Sequence, residues 1–400
     1  MSSRPPISAA IGGVPAGSEN SASQTAVAAV RRRPLALRLV LLACGLIAFL
    51  LGLWTGMARL GVGLMGAAPQ FVEFHGVLMI CGFFGTLISI ERALALNRPL
   101  AYMIPIFAAT GTLALLARTT TLAGAAFLIA SLVLAAASFW NMRRLQSVLL
   151  AATPSIAALC WGLGTLTWLA DRPLPEATGW WLAFLVLTVA AERLELSRIV
   201  APPAMARLIF TATIAIFLIG VARGELERPI SPFIGSGLIL CGAWLLMYDL
   251  ARRTVRLSGQ IRFTALCMLL GYGWLIIAGL ELFVRPIAAF WYDAVVHAIT
   301  LGFVLSMVFG HTLIIFPSVV GLTLRYSAIL YVPLLLLQIS VVIRTIGDFS
   351  GSIEIRSVSA FLTIIALVCF AATIVVASVC NRSVAHTFHS KGNLNGAEAS

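Results

Sequence analysis

Charge is what this sequence has least of. Asp, Glu, Lys and Arg make up 10% of its 400 residues, against roughly a quarter in a soluble globular domain. Apolar residues make up 60%, and the mean hydropathy is +1.01. A chain so poor in ions cannot cover a water-facing exterior, so lipid has to cover it instead. Paired cysteines are also missing. Cys44, Cys81, Cys160, Cys241, Cys267, Cys369 and Cys380 all fall in or beside apolar runs, with no CxxC and no CxxCH. They read as small hydrophobes, which excludes a disulfide framework, a cysteine zinc site and a covalently attached c-type haem. No groove-sized basic patch exists either. The formal charge is +12, but its arginines are dispersed between apolar runs, and nucleic acid is excluded as a partner.

What is present is a series of apolar stretches, each near the roughly 20 residues needed to cross a bilayer core. They run over 35–57, 72–95, 99–117, 119–140, 146–170, 177–197, 205–222, 230–249, 263–283, 290–316, 326–345 and 357–380. The expected fold is therefore all-α, a polytopic membrane bundle of about twelve transmembrane helices filling residues 35–380. Residues 1–34, rich in Ser, Ala, Gly and Pro, and the polar residues 381–400 are expected to be disordered tails. Arg31-Arg32-Arg33 abuts the first stretch, which reads as an uncleaved signal anchor.

The arginines set an orientation. With the N-terminus inside, the inner connections and tails hold about twice as many basic residues as the outer ones, and every inner connection holds at least one. Arg344 and Arg356 fall among the outer exceptions. Both termini are expected on the cytoplasmic side of a cell inner (plasma) membrane, with the lipid bilayer as the chain's principal partner. No connection is long enough for a separate domain, so any chemistry lies inside the bundle.

Five histidines are available. His386 and His389 lie in the polar C-terminal tail. His75, His297 and His311 lie in apolar stretches, where ionisable residues are costly and point to function. His75 and His297 are expected at similar depth near the outer face. His311 is 14 residues beyond His297, roughly 21 Å deeper and back on nearly the same helical stripe.

One histidine on each of two helices at matched depth is what bis-imidazole ligation of a b-type haem requires. Small residues would flank the porphyrin: Gly82, Thr86 and Ser89 after His75 and Met79 on one helix, Gly302, Ser306 and Gly310 on the other. Asp293, one turn before His297, would accept its second ring N–H and fix the tautomer. Met79 is a candidate soft ligand beside His75, and His311 a further metal candidate. The plainer alternative stays open: small residues at this spacing also mark close helix packing, and a lone membrane histidine also hydrogen-bonds a neighbouring helix.

A second feature recurs. GTLISIERALAL (85–96) and LTVAAERLELSR (187–198) each place a Glu-Arg pair, Glu91-Arg92 and Glu192-Arg193, at the cytoplasmic end of a helix. Such a repeat suits ion pairs that clamp helices, a proton entry route, a duplicated transporter, or interfacial anchoring by snorkelling arginines.

FHGVLMICGFFGT (74–86) resembles helix two of haem–copper oxidase subunit I, where a histidine followed by glycine ligates the low-spin haem. HAITLGFVLSMVFGHTLIIFP (297–317) is similar to a stretch of the NnrS family of haem- and copper-containing membrane proteins associated with nitric-oxide stress. The resemblance implies haem b held by His75 and His297, with copper near His311, in electron transfer or nitrogen-oxide handling. It departs from the oxidases in one respect that argues against oxygen reduction: helices six and seven contain no histidine. Two other classes compete with a haem protein. One is a secondary transporter working through its Glu-Arg elements. The other is a non-catalytic assembly subunit of a larger membrane complex. No residue names a redox partner or a companion subunit.

Overall fold

A chain immersed in lipid must satisfy its backbone polar groups internally, and helices do this within one segment. The computed structural model is accordingly helical, with no strand among the described residues. The backbone is described over 18–62, 69–142, 148–197, 202–228, 230–284, 290–322 and 324–397, with Val200; side chains are described from Leu35 to Ser378, less the residues around these gaps. The expected tails, 1–34 and 381–400, therefore lie outside the described side chains.

Among the described residues, ten helices are long and apolar enough to cross a membrane. The chain is a multi-pass membrane protein. With the two helices that lie between them, they are α1 (Leu35–Arg59), α2 (His75–Leu96), α3 (Pro99–Leu116), α4 (Thr120–Trp140), α5 (Val148–Leu169) and α6 (Leu174–Leu196), followed by α7 (Ala204–Ala222), α8 (Pro232–Tyr248), α9 (Gly259–Glu281), α10 (Trp291–Val320), α11 (Ala328–Ser350) and α12 (Ile353–Ser378). α5 and α8 are not among the ten; they stand where the fifth and eighth stretches are expected. The backbone helix carrying α1 begins at Ser18, and that carrying α12 continues to Ala397.

The breaks between helices follow from local chemistry. Asn97 caps α2 in the left-handed conformation, and Pro99 then opens the next element. Gly351, with φ of +72°, turns α11 back into α12 while its N–H bonds the Gly347 carbonyl. Neighbours in sequence pack side by side, and small residues let them approach. A Cβ at Gly235 on α8 would stand 2.8 Å from the Gly279 carbonyl oxygen of α9, and one at Gly279 would stand 2.6 Å from that of Gly235.

α2 and α10 depart from regular α geometry, and they do so at matching places. Leu78–Phe84 in α2 and Ala298–Leu305 in α10 are π-helical. Each wide segment starts within three residues of a histidine, His75 in one helix and His297 in the other. Single π turns inside α-helices concentrate at functional sites.

Candidate functional site

α1, α2, α6, α10, α11 and α12 enclose a cavity of about 250 Å³ at one end of the bundle. His75 and His297 both line it, together with Met79 and the apolar side chains Phe49, Ile80, Phe84, Leu305, Ile364 and Leu367. The sequence pairing of these two histidines is thus a spatial one.

The two imidazoles are held in the same way. His75 donates its Nδ1–H to the carbonyl oxygen of Gly52 on α1 at 2.7 Å. His297 donates its Nδ1–H to the carbonyl oxygen of Asp293, one turn earlier in its own helix, at 2.6 Å. A carbonyl oxygen can only accept, so the proton sits on Nδ1 in both rings and Nε2 carries the lone pair. Neither Nε2 has a hydrogen-bond partner among the described residues. This is the arrangement in which imidazole ligates a metal through Nε2 while a backbone carbonyl fixes its tautomer.

The cradle for His75 comes from α1, where Gly52 and Gly56 stand one turn apart. A Cβ at Gly56 would lie 2.8 Å from His75 Cε1, and one at Gly52 would strike the Met79 sulfur. Neither glycine stands out in the sequence, since small residues at this spacing are common in membrane helices.

Asp293 plays a different part from the one expected. Its backbone, not its carboxylate, orients His297. The carboxylate accepts from Arg356 at 2.6 Å and lies 3.8 Å from Arg344. Asp348 completes the cluster, 2.8 Å from Arg344 and 2.6 Å from Arg356, with no exposed side-chain area. The Arg356 guanidinium also stacks 3.8 Å above the Phe290 ring. The hairpin at Gly351 creates this cluster by folding Arg356 of α12 against Arg344 and Asp348 of α11. A Cβ at Gly347 would stand 2.9 Å from the Arg356 backbone nitrogen. Arg59, Arg344, Arg356 and Asp293 line the cavity beside its apolar residues, the last two arginines being paired with Asp293 and Asp348.

The small-residue stripes do not flank the cavity. Cβ atoms at Gly302 and Gly310 would strike Trp274 and Cys267 of α9, and Ser306 accepts from Gln338 of α11 at 2.9 Å. On α2, a Cβ at Gly82 would strike Ala48 of α1, and Thr86 packs against Gly45. These positions serve helix packing. The expectation rested on 3.6 residues per turn, and the π segments widen the turns on which it was built.

His311 lies at the opposite end. Its Nδ1–H donates to the Met307 carbonyl at 2.7 Å, and its Nε2 accepts from Arg193 Nη2 at 3.0 Å. Its lone pair therefore faces a cation, and no group of three or more His, Cys, Asp or Glu suited to a metal forms among the described residues. The two Glu-Arg elements meet here: Arg92 pairs with Glu192 at 2.7 Å, joining α2 to α6, and Arg193 lies 3.9 Å from Glu192.

A family model described as a domain of unknown function (DUF8744) matches residues 38–379, nearly the whole helical bundle. The chain belongs to that family. No curated protein and no solved structure matches it. In this DUF8744 chain the match runs from within α1 to just past the end of α12. It therefore covers Gly52 and both Glu-Arg elements as well as His75, His297 and the Arg344–Asp348–Arg356 cluster.

Proposed function

We propose that this protein is a membrane haem protein holding one b-type haem between His75 and His297, in electron transfer or nitrogen-oxide handling. One observation carries the reading: two imidazoles in the wall of one cavity, each with Nδ1 committed to a backbone carbonyl and Nε2 left to ligate. The remaining lining suits the same ligand. Phe49, Ile80, Phe84, Leu305 and Leu367 offer an apolar body for a macrocycle, and the exposed Arg59, which stands outside the Asp293–Asp348 cluster, suits a carboxylate. Haem bound there would supply a one-electron couple. The protein's own part is to set the tautomers, fix both rings and keep water from the apolar body.

Met79 borders the cavity beside His75 and stays a neighbour in this reading. His311 is assigned no ligand, because its Nε2 is occupied by Arg193. Copper there would first have to displace a guanidinium, so it is not included. The Glu-Arg elements that suggested a transporter are engaged in the Arg92–Glu192 pair between α2 and α6. For the topology we propose twelve spans with both termini cytoplasmic in an inner (plasma) membrane. Reporter fusions at the two termini test it.

The haem test is an absorption spectrum of protein purified from haem-replete cells. A Soret band altered by His75→Ala and by His297→Ala supports the reading. A protein without that band, or with one indifferent to both substitutions, refutes it.

A further inference from the structure

Away from the His75–His297 cavity, three buried polar atoms lack a hydrogen bond of good geometry, Asp249 Oδ2, Tyr272 OH and Arg193 Nε, although the Asp249 carboxylate and the Tyr272 hydroxyl stand near each other. Tyr272 and Arg193 stand on different helices, α9 and α6, while Asp249 follows the last residue of α8. Their electrostatic fields overlap, and that of His311 reaches Asp249 as well. Asp249 is 3% exposed, Arg193 6% and Tyr272 0%. A buried polar group left unpaired is costly, and the usual remedy is water bridging two or more such groups.

A path for that water is present. A cavity of about 360 Å³ opens at this end of the bundle, lined by Val200, Met247, Asp249, Arg252, Arg253 and Arg256. Asp249 is the residue shared by this cavity and the orphaned trio. Its Oδ1 accepts the Ala251 N–H at 2.6 Å, which fixes the carboxylate and leaves Oδ2 for the interior.

We propose that Asp249, Tyr272 and Arg193 bound a water-filled proton inlet leading inward from the Arg252–Arg256 cavity. At its entrance a hydronium ion in the cavity passes one proton to Asp249 Oδ2 and becomes a neutral water. No electron moves, and only O–H bonds are exchanged. The charged and titratable groups facing Asp249 are Arg252, Arg253 and Arg256 on its own side, Arg193 from α6, Tyr272 from α9 and His311 from α10, with Glu192 of α6 beyond them beside His311. The cationic rim disfavours proton entry at neutral pH, so the inlet responds to acidification. The proposal is independent of haem, because none of these residues lines the other cavity.

Radiolytic hydroxyl labelling of the full chain in lipid nanodiscs tests it, since a buried aromatic ring is labelled only where water sits beside it. Phe303 is an internal control: it is equally buried, and its ring centroid is 6.4 Å from that of Tyr272. Tyr272 is expected to label severalfold faster than Phe303, and Asp249→Leu is expected to bring the two together. Infrared difference spectra between neutral and acid buffer should carry a carboxyl band that Asp249→Asn abolishes. Where a variant fails to fold, the comparison of Tyr272 with Phe303 in the unaltered protein decides alone. Equal labelling of the two rings, or a carboxyl band surviving Asp249→Asn, would overturn the inlet.

Discussion

His75 is held by Gly52: its Nδ1 lies 2.7 Å from that residue's carbonyl oxygen, so a side chain on α2 takes its orientation from the backbone of α1. One turn along, Gly56 leaves room for the same ring. The fold thus positions His75 through two glycines that carry no chemistry of their own.

Gly56→Leu should therefore displace His75 by steric contact with its ring. Overpacking of this kind costs about 1–3 kcal/mol, to be read as a lower thermal midpoint and as a loss of bound chromophore. Gly273→Ala is the control, because nothing lies within 4 Å of a Cβ there. It should leave the chromophore intact and raise stability by up to about 1 kcal/mol. Equal effects of the two substitutions would contradict the cradle.

The cluster of Arg344, Asp348, Arg356 and Asp293 should respond sharply to the loss of one member. Asp348→Asn leaves Arg344 and Arg356 with Asp293 alone, and breaking a buried ion pair from one side costs about 3–5 kcal/mol. Arg356→Lys keeps the charge but not the fork that reaches Asp293 and Asp348 while stacking on Phe290, so it should fall between wild type and Arg356→Leu. Thermal unfolding in detergent measures the order of these variants.

Much of this architecture is legible in the sequence. Ten of the twelve apolar stretches coincide with helices long and apolar enough to cross a membrane, because a bilayer fixes segment length and leaves the backbone little choice, and α5 and α8 stand at the other two. The pairing of His75 with His297 follows from depth alone. The Arg344–Asp348–Arg356 cluster does not, because the positive-inside count treats Arg344 and Arg356 as two stray outer charges. The i,i+4 spacing of Arg344 and Asp348 across the end of an apolar run is the signal that could have found it. The flanking stripes went astray for a geometric reason: periodicity arguments assume an α-helix, and both histidine helices switch to π geometry just past the histidine.

The Arg92–Glu192 pair should act as a clamp between α2 and α6. Both side chains are about one-fifth exposed, so solvent weakens the pair. A double-mutant cycle of Arg92→Ala and Glu192→Ala should give a coupling energy of about 0.5–3 kcal/mol. Additive losses would show that the two residues act separately.

The most direct measurement is the absorption spectrum of the purified full chain and three histidine variants, expressed with haem in excess. Ligation by His75 and His297 predicts a Soret band that His75→Ala and His297→Ala each abolish or shift, while His311→Ala leaves it in place. A colourless protein, or a band that survives both cavity substitutions unchanged, would contradict it.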